Sequence, residues 1–227
     1  MFTDEAPAPQ NRTYVIASGG LDSAVVLHLA AKNSHAVTVL TFDYDQRHIK
    51  ELEYQRRMNE HLREVGGYDI FELQVPMKEL TLLGAGMHAV PTDAPHPSLI
   101  PPTWLPGRNL ILLTYAAAYG YPFSSVLVAG IHAEDTPGYP DCRPNALRHL
   151  EVAIEEGLGS PFALWLPLLN KTKAEIVKLG QELGVPFNLT WSCYEGGERA
   201  CGKCDACIRR LAAFKANGLK DPLDYEY

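Results

Sequence analysis

The stretch Tyr14-Val-Ile-Ala-Ser18-Gly19-Gly20-Leu21-Asp22-Ser23-Ala-Val-Val-Leu27 leaves this chain few architectures. Its opening residues, with Thr13, are β-branched and aromatic and predict a short buried strand over 13–16. Gly19 and Gly20 permit a turn that side chains would block. Apolar residues at Ala24, Val25, Leu27, Leu29 and Ala30 then predict a buried helix, with Asp22 or Ser23 as its N-cap. Strand, glycine turn and helix start aim backbone N–H groups and the positive end of the helix dipole at one point, which is an anion site. Many glycine turns in α/β proteins bind nothing, so the rest of the chain has to decide what this one does.

The downstream pattern repeats strand and helix. Strands are expected over 36–42 and 68–75, with a long polar-faced helix over 48–65 between them. A helix over 109–119, apolar almost throughout, is expected to be buried. A strand over 125–129 follows, then a helix over 144–158 with Pro144 at its first position. Next come a strand-like run over 162–169 and a helix over 173–183, opened by the capping box Thr172-Lys-Ala-Glu175 and ended by Gly184 and Pro186. Alternation at this spacing predicts an α/β fold, a parallel sheet with helices on both faces. Ligands of such sheets bind beyond the carboxyl ends of the strands, where residues 18–23 and 43–48 are expected to lie.

Two nucleotide signatures are excluded. A kinase-type phosphate loop needs Gly-Lys-Ser/Thr, and the one Gly-Lys here, Gly202-Lys203, is followed by Cys204. Gly84-Ala-Gly86-Met-His-Ala89 matches a dinucleotide fingerprint in form, but it opens into Pro91, Pro95 and Pro97 rather than a helix. It belongs to an irregular stretch over 84–107 with six prolines, long enough to be a functional loop. A net charge of −7 argues against a nucleic-acid binder. No apolar run reaches the roughly 20 residues of a membrane span, and the acidic, proline-containing start lacks an export pattern. A cytoplasmic enzyme of small molecules, with no nucleic-acid or membrane partner, is expected.

Cys193-x7-Cys201-x2-Cys204-x2-Cys207 places four thiols within 15 positions. Such a cluster in a cytoplasmic chain points to a metal, either tetrahedral zinc or an iron–sulfur cluster. Four thiolates would close a zinc site, making it structural. A zinc-dependent DNA-binding regulator is the reading from a different class. The acidic balance and the absence of a C-x-x-C…H-x-x-x-H pattern count against it.

The hexapeptide Ser18-Gly19-Gly20-Leu21-Asp22-Ser23 resembles the pyrophosphate loop of the N-type ATP pyrophosphatases, which release AMP and pyrophosphate. With it come Asp43-Tyr-Asp-Gln46-Arg47-His48, Pro106-Gly-Arg108-Asn109, Gly138-Tyr139-Pro140-Asp141-Cys142-Arg143-Pro144, Asn170-Lys-Thr-Lys173-Ala-Glu175-Ile176 and Trp191-Ser-Cys193-Tyr ahead of the last three cysteines. In this order, from about residue 13 onward, the chain is similar to the 7-cyano-7-deazaguanine synthases, the nitrile-forming family of queuosine biosynthesis. The resemblance implies an adenine nucleotide alpha hydrolase-like (Rossmann-like) fold with a small C-terminal zinc-binding lobe. The implied division is an N-terminal extension over 1–12, an ATP-binding domain over 13–190 and a four-cysteine segment over 191–227. It implies conversion of 7-carboxy-7-deazaguanine and ammonia to the nitrile with ATP, Mg²⁺ and structural zinc, in a homodimer.

Residue by residue, the resemblance implies that Ala17, Ser18, Gly19, Gly20, Leu21, Asp22 and Ser23 bind ATP, with Asp22 also helping to hold Mg²⁺. Arg108 and Lys173 would neutralise charge developing on pyrophosphate. Gln46, Arg47 and His48 would line the same rim, and Tyr139, Asp141 and Arg143 would hold the substrate's base and carboxylate. Cys193, Cys201, Cys204 and Cys207 would take the zinc. Cys142 is expected to be a packed thiol, not a nucleophile. The family carries glycine where this chain has Asp45. A relative joining the same acid to another amine would share these motifs, and a tRNA-modifying thiolase or lysidine-type ligase would share the loop.

Overall fold

The computed structural model describes residues 2, 5–44, 49–80, 105–195 and 197–226. Its frame is a five-stranded, all-parallel sheet. The strands are β1 (Gln10–Ile16), β2 (Ser34–Asp43), β3 (Asp69–Pro76), β4 (Val126–Ala129) and β5 (Ala163–Trp165), in the spatial order β3-β2-β1-β4-β5. β1 is central, with Tyr14 opposite Thr38 on one side and Leu127 on the other. The helices are α1 (Leu21–Lys32), α2 (Ile49–Glu64), α3 (Arg108–Gly120), α4 (Pro144–Leu158), α5 (Lys173–Leu183) and α6 (Asp205–Ala216).

Two apolar layers sandwich the sheet because successive strand side chains point to opposite faces. Val15, Val39 and Val128 face one way, into a cluster with Val25, Leu27, Met58, Leu62, Ile176 and Phe214 from α1, α2, α5 and α6. Tyr14, Leu40 and Leu127 face the other way, against Leu112, Leu113, Ala116, Leu147 and Ile154 from α3 and α4. Strands covered on both faces read as continuous apolar runs, as 126–129 does. The chain travels outward from β1 through β2 to β3, then returns to add β4 and β5 on the opposite side. That reversal leaves a crevice beyond the carboxyl ends of β1 and β4, the topological switch point where open α/β sheets bind ligands.

Three local expectations are corrected. Neither Asp22 nor Ser23 caps α1; the helix begins at Leu21, and Gly20 is the N-cap with extended backbone and no side-chain cap bond. Asp22 and Ser23 therefore sit inside the first turn, where an N-cap cannot be. The α3 helix is not buried all round: Leu112, Leu113 and Ala116 meet the sheet, while Ile111, Tyr115 and Tyr119 are 40%, 40% and 45% exposed. One helical stripe faces the core, and apolar residues on the other face stay outside. Finally, β5 ends at Trp165 rather than running to 169. It pairs only with β4, Pro167 has no N–H to donate, and the chain folds into turns with Leu169 N–H bonding Leu166 O.

Candidate active site

The turn after β1 is shaped by close approach. Gly19 has φ +89°, and a Cβ built there would lie 2.1 Å from the carbonyl oxygen of Glu51 and 2.9 Å from the nitrogen of Gln55. Only glycine lets the loop sit on the first turn of α2 in that conformation. The loop is then fastened from three directions. Gly19 N–H donates to Gln55 Oε1 at 2.8 Å, and Gly19 O accepts from Trp191 N–H at 2.9 Å. Ser23 Oγ accepts from Ser18 N–H at 3.3 Å and donates to Gly20 O at 3.0 Å. At the end of β4, a Cβ on Gly130 would sit 3.2 Å from the Asp22 carbonyl carbon, so the bare backbone there lets the start of α1 close in.

A charged cluster converges on this turn. Lys173, the first residue of α5, reaches back to Asp22 with Nζ 2.5 Å from Oδ2. The Thr172–Glu175 capping box fixes the start of α5, and Lys173 N–H donates to Glu134 Oε1 at 2.8 Å. His132, buried two residues beyond Gly130, has Nε2 3.3 Å from Lys173 Nζ, 3.8 Å from Asp22 Oδ2 and 3.5 Å from Asp135 Oδ1. Its Nδ1 accepts from Glu134 N–H at 3.2 Å, which turns Nε2 toward Lys173 and the carboxylates. Burial works to raise the Asp22 carboxyl, but the charges of Lys173 and His132 outweigh it and hold it below the ordinary aspartate value. Asp22 Oδ1 is buried without a hydrogen-bond partner among the described residues. An anionic oxygen in that condition fits a hard cation, which takes oxygen ligands.

Arg108 opens α3 on the opposite rim. Its Nη1 donates to Tyr44 Oη at 3.4 Å, and its guanidinium carbon stands 5.9 Å from the Tyr44 ring centre. Burial opposes its charge, yet Tyr44, Tyr139 and Asp141 outweigh that and raise its pKa further. Asp141 is 4% exposed and accepts from Asn109 N–H at 2.9 Å, so it caps α3 and thereby sets Arg108. Cys142 is a packed thiol: Asn109 Nδ2 donates to its sulfur at 3.2 Å, and burial with the charges of Asp135 and Asp141 pushes its pKa far up. Tyr139 is half-buried beside Arg108, whereas Arg143 is exposed at the start of α4. Asp45, Gln46, Arg47, His48 and Trp104 lie outside the described residues, as do positions 84–104 of the irregular stretch.

Glu51 joins the same rim from the first turn of α2. Burial raises its pKa to about 8; Arg108 lowers it, and the Asp22 charge adds to the rise.

The four clustered cysteines converge. Their Sγ atoms all lie within 4.8 Å of one another. Cys193 Sγ accepts from the N–H groups of Cys201 at 3.3 Å and Glu195 at 3.4 Å, and Cys201 Sγ accepts from Cys204 N–H at 3.3 Å. N–H donors favour thiolates, so the donor set suits a metal ion. This lobe abuts the glycine turn: Trp191 donates to Gly19, packs on Tyr54 with ring centres 5.3 Å apart, and lies under Lys50 Nζ at 4.7 Å. Arg210 and Asp221 anchor the lobe with a buried pair.

A family model described as "Queuosine biosynthesis protein QueC" matches residues 12–218. The chain belongs to the QueC family. The 7-cyano-7-deazaguanine synthase of Thermoplasma acidophilum is 39% identical over 96% of this chain and 93% of its own length. That of Picrophilus torridus is 40% identical over 95% and 92%. A solved 4-thiouridine synthetase in complex with RNA and bound ATP is 19% identical, with a TM-score of 0.51 over 77% of this chain and 41% of that one. That likeness bears out the expected α/β fold. In this QueC chain, sequence reasoning passed over His132, Glu51, Gln55 and Tyr44. His132 and Gln55 stand in no recognised motif. Tyr44 and Glu51 sit inside or just beyond the 43–48 segment, and only the fold shows that they turn toward Arg108.

Proposed function

We propose that this chain is a 7-cyano-7-deazaguanine synthase, converting 7-carboxy-7-deazaguanine and ammonia to the nitrile with ATP. The observation that carries the reading is the meeting of the glycine turn, Asp22, Lys173 and Arg108 at the switch point of a chain related over nearly its whole length to proteins of that name. A carboxylate oxygen cannot leave as it stands. Transfer of AMP to it makes a leaving group, ammonia displaces AMP to give the amide, and a second adenylation on the amide oxygen permits loss of that oxygen to form the nitrile. Such chemistry needs a phosphate cradle and fixed positive charge more than a protein nucleophile. The inert thiol of Cys142 agrees with that.

The N–H groups of Leu21, Asp22 and Ser23 at the start of α1 take the phosphates, while those of Ala17, Ser18 and Gly19 are engaged by Leu40 O, Ser23 Oγ and Gln55 Oε1 and hold the turn in shape. Lys173 and Arg108, on opposite rims, stabilise the departing pyrophosphate. Asp22, through its unpartnered oxygen, would hold Mg²⁺, which supplies charge neutralisation to the phosphates. Lys173 then exchanges its Asp22 contact for a phosphate oxygen. Tyr139 stacks the deazaguanine, and Gln46, Arg47, His48 and Arg143 supply polar contacts to base and carboxylate. Asp141 serves through the start of α3. Zinc is the metal proposed for Cys193, Cys201, Cys204 and Cys207, because four thiolates make a closed structural site. It would hold Trp191 against the turn. Among the described residues no helix is long and apolar enough to cross a membrane. A cytoplasmic homodimer is proposed, supported by the exposed apolar face of α3.

The test is mass spectrometry of purified protein with ATP, Mg²⁺, ammonium and 7-carboxy-7-deazaguanine, following AMP and pyrophosphate alongside. Amide then nitrile, with AMP, is expected. AMP without nitrile would assign another acceptor, and no AMP from folded, metal-loaded protein would overturn the reading. Elemental analysis should find one zinc per chain; iron or no metal would reject zinc.

A further inference from the structure

The phosphate turn is tied to the outer strand of the sheet by side chains that the proposed chemistry does not use. Gln55, Asn59 and Arg63 recur every fourth residue along α2, so they share one stripe of the helix. Gln55 and Asn59 are 2% and 1% exposed, on a helix whose neighbouring positions Met58 and Leu62 join the apolar core. Apolar side chains at 55 and 59 would need no partners, whereas every buried amide group has to find one. Here each finds one. Gly19 N–H donates to Gln55 Oε1, Gln55 Nε2 to Asn59 Oδ1, and Asn59 Nδ2 to Glu72 Oε2, each at 2.8 Å. Arg63 closes the far end, with Nη2 3.2 Å from the same carboxylate oxygen and Nε donating to Ile70 O.

This chain has a direction. A backbone N–H only donates, and a carboxylate only accepts. With Gly19 at one end and Glu72 at the other, both amides must turn their oxygens toward the phosphate turn and their NH₂ groups toward β3. An amide reversed at 55 would set NH₂ against the Gly19 N–H, and the turn would lose this fastening. Given the reading of that turn as the ATP site, we propose that Gln55, Asn59 and Glu72 are positioning residues for the nucleotide: the Glu72 carboxylate, on the edge strand β3, sets the amide that holds Gly19 and with it the start of α1. The Glu72 side chain is 42% exposed, so its chemistry can be changed without emptying the core.

The experiment reverses the polarity from the surface. ATP affinity is read by titration calorimetry. Adenylation is read as exchange of labelled pyrophosphate into ATP that depends on 7-carboxy-7-deazaguanine. Glu72→Lys puts a donor where the acceptor stood, so both amides reverse and ATP affinity should fall about three- to tenfold, the effect of about one hydrogen bond. Exchange should follow through the KM for ATP, with its maximal rate little changed. Glu72→Gln keeps an oxygen for Asn59 and should bind ATP within about twofold of wild type. The deciding variant combines Glu72→Lys with Asn59→Asp. A carboxylate at 59 accepts from both neighbours, so Gln55 regains its orientation and affinity should return to within about twofold of wild type. A stripe that serves only stability would behave otherwise: the second substitution would deepen the loss of melting temperature and affinity together. Wild-type affinity in Glu72→Lys, or no recovery in the double variant, would overturn the proposal. Wild-type protein that binds ATP but gives no exchange would overturn the synthase reading alone, because the affinity series still decides the chain. Wild-type protein that does not bind ATP would overturn both.

Discussion

Two ion pairs in this molecule look alike on paper and are built for opposite purposes. Arg210 and Asp221 are each 1% exposed, joined by Nε to Oδ2 at 2.7 Å and Nη2 to Oδ1 at 3.0 Å. Every side of the pair is occupied: Thr190 and Phe187 accept from the guanidinium, while Leu223 N–H and Tyr225 Oη donate to the carboxylate. Lys173 and Asp22 are 18% and 23% exposed, joined by a single contact, with Asp22 Oδ1 unpartnered among the described residues. A saturated pair has nothing left to offer a ligand and serves only the fold. An incomplete one keeps bonding capacity in reserve for a ligand. Saturation of partners, more than distance, tells the structural pair from the working one.

That contrast can be broken by experiment. Removing one partner of the saturated pair, Asp221→Ala, leaves a buried guanidinium unopposed. It should cost about 3–5 kcal/mol, read as a fall in unfolding free energy. A loss below about 1 kcal/mol would mean the pair is not the lock described. Lys173→Ala should do the reverse, lowering adenylation on the order of 10²- to 10³-fold with a much smaller fall in melting temperature than Asp221→Ala. A stability loss matching Asp221→Ala would erase the distinction.

Finer tests concern the Arg108 rim. Tyr44→Phe removes the 3.4 Å hydrogen bond to Arg108 but keeps the ring. Its effect on stability should be about 0.5–1.5 kcal/mol, with a rise in the KM for ATP or acid exceeding any change in kcat. A last test is one of sign. Glu51 has a raised folded-state pKa, so its neutral form favours the fold and stability is lost as pH rises from its ordinary value, roughly 4.3, toward about 8. Glu51→Gln stays neutral throughout. Its melting temperature relative to wild type should therefore increase between those pH values, and a gap that narrows would contradict the burial of this carboxylate.

How much of this was legible beforehand follows sequence distance. The turn at 18–23 and the capping box at Thr172 are local objects whose residues carry their own geometry, and both appear where expected. The cysteine spacing likewise announced a converged cluster. The Lys173–Asp22 contact spans 151 positions. No periodicity encodes such a pairing; only the return of the chain to the far side of β1 creates it. The exposed face of α3 was misread because apolar composition reports total hydrophobicity and not which stripe meets the sheet. The bond from Asn109 N–H to Asp141 likewise joins the start of α3 to a segment 32 positions away, which no local pattern announces.

The central position of β1 also imposes an order on the making of the molecule. β1 finds β2 almost at once, for they are joined by one helix. Its other edge must wait for β4, which pairs Tyr14 with Leu127. Roughly a hundred residues intervene, and at ribosomal rates of about 5–20 residues per second that is an interval of about 5–20 s. Throughout it the nascent chain carries an open strand edge on the element that will be most enclosed. The same reversal that makes the crevice for the ligand thus leaves the newborn polypeptide open to edge-to-edge pairing until β4 is made.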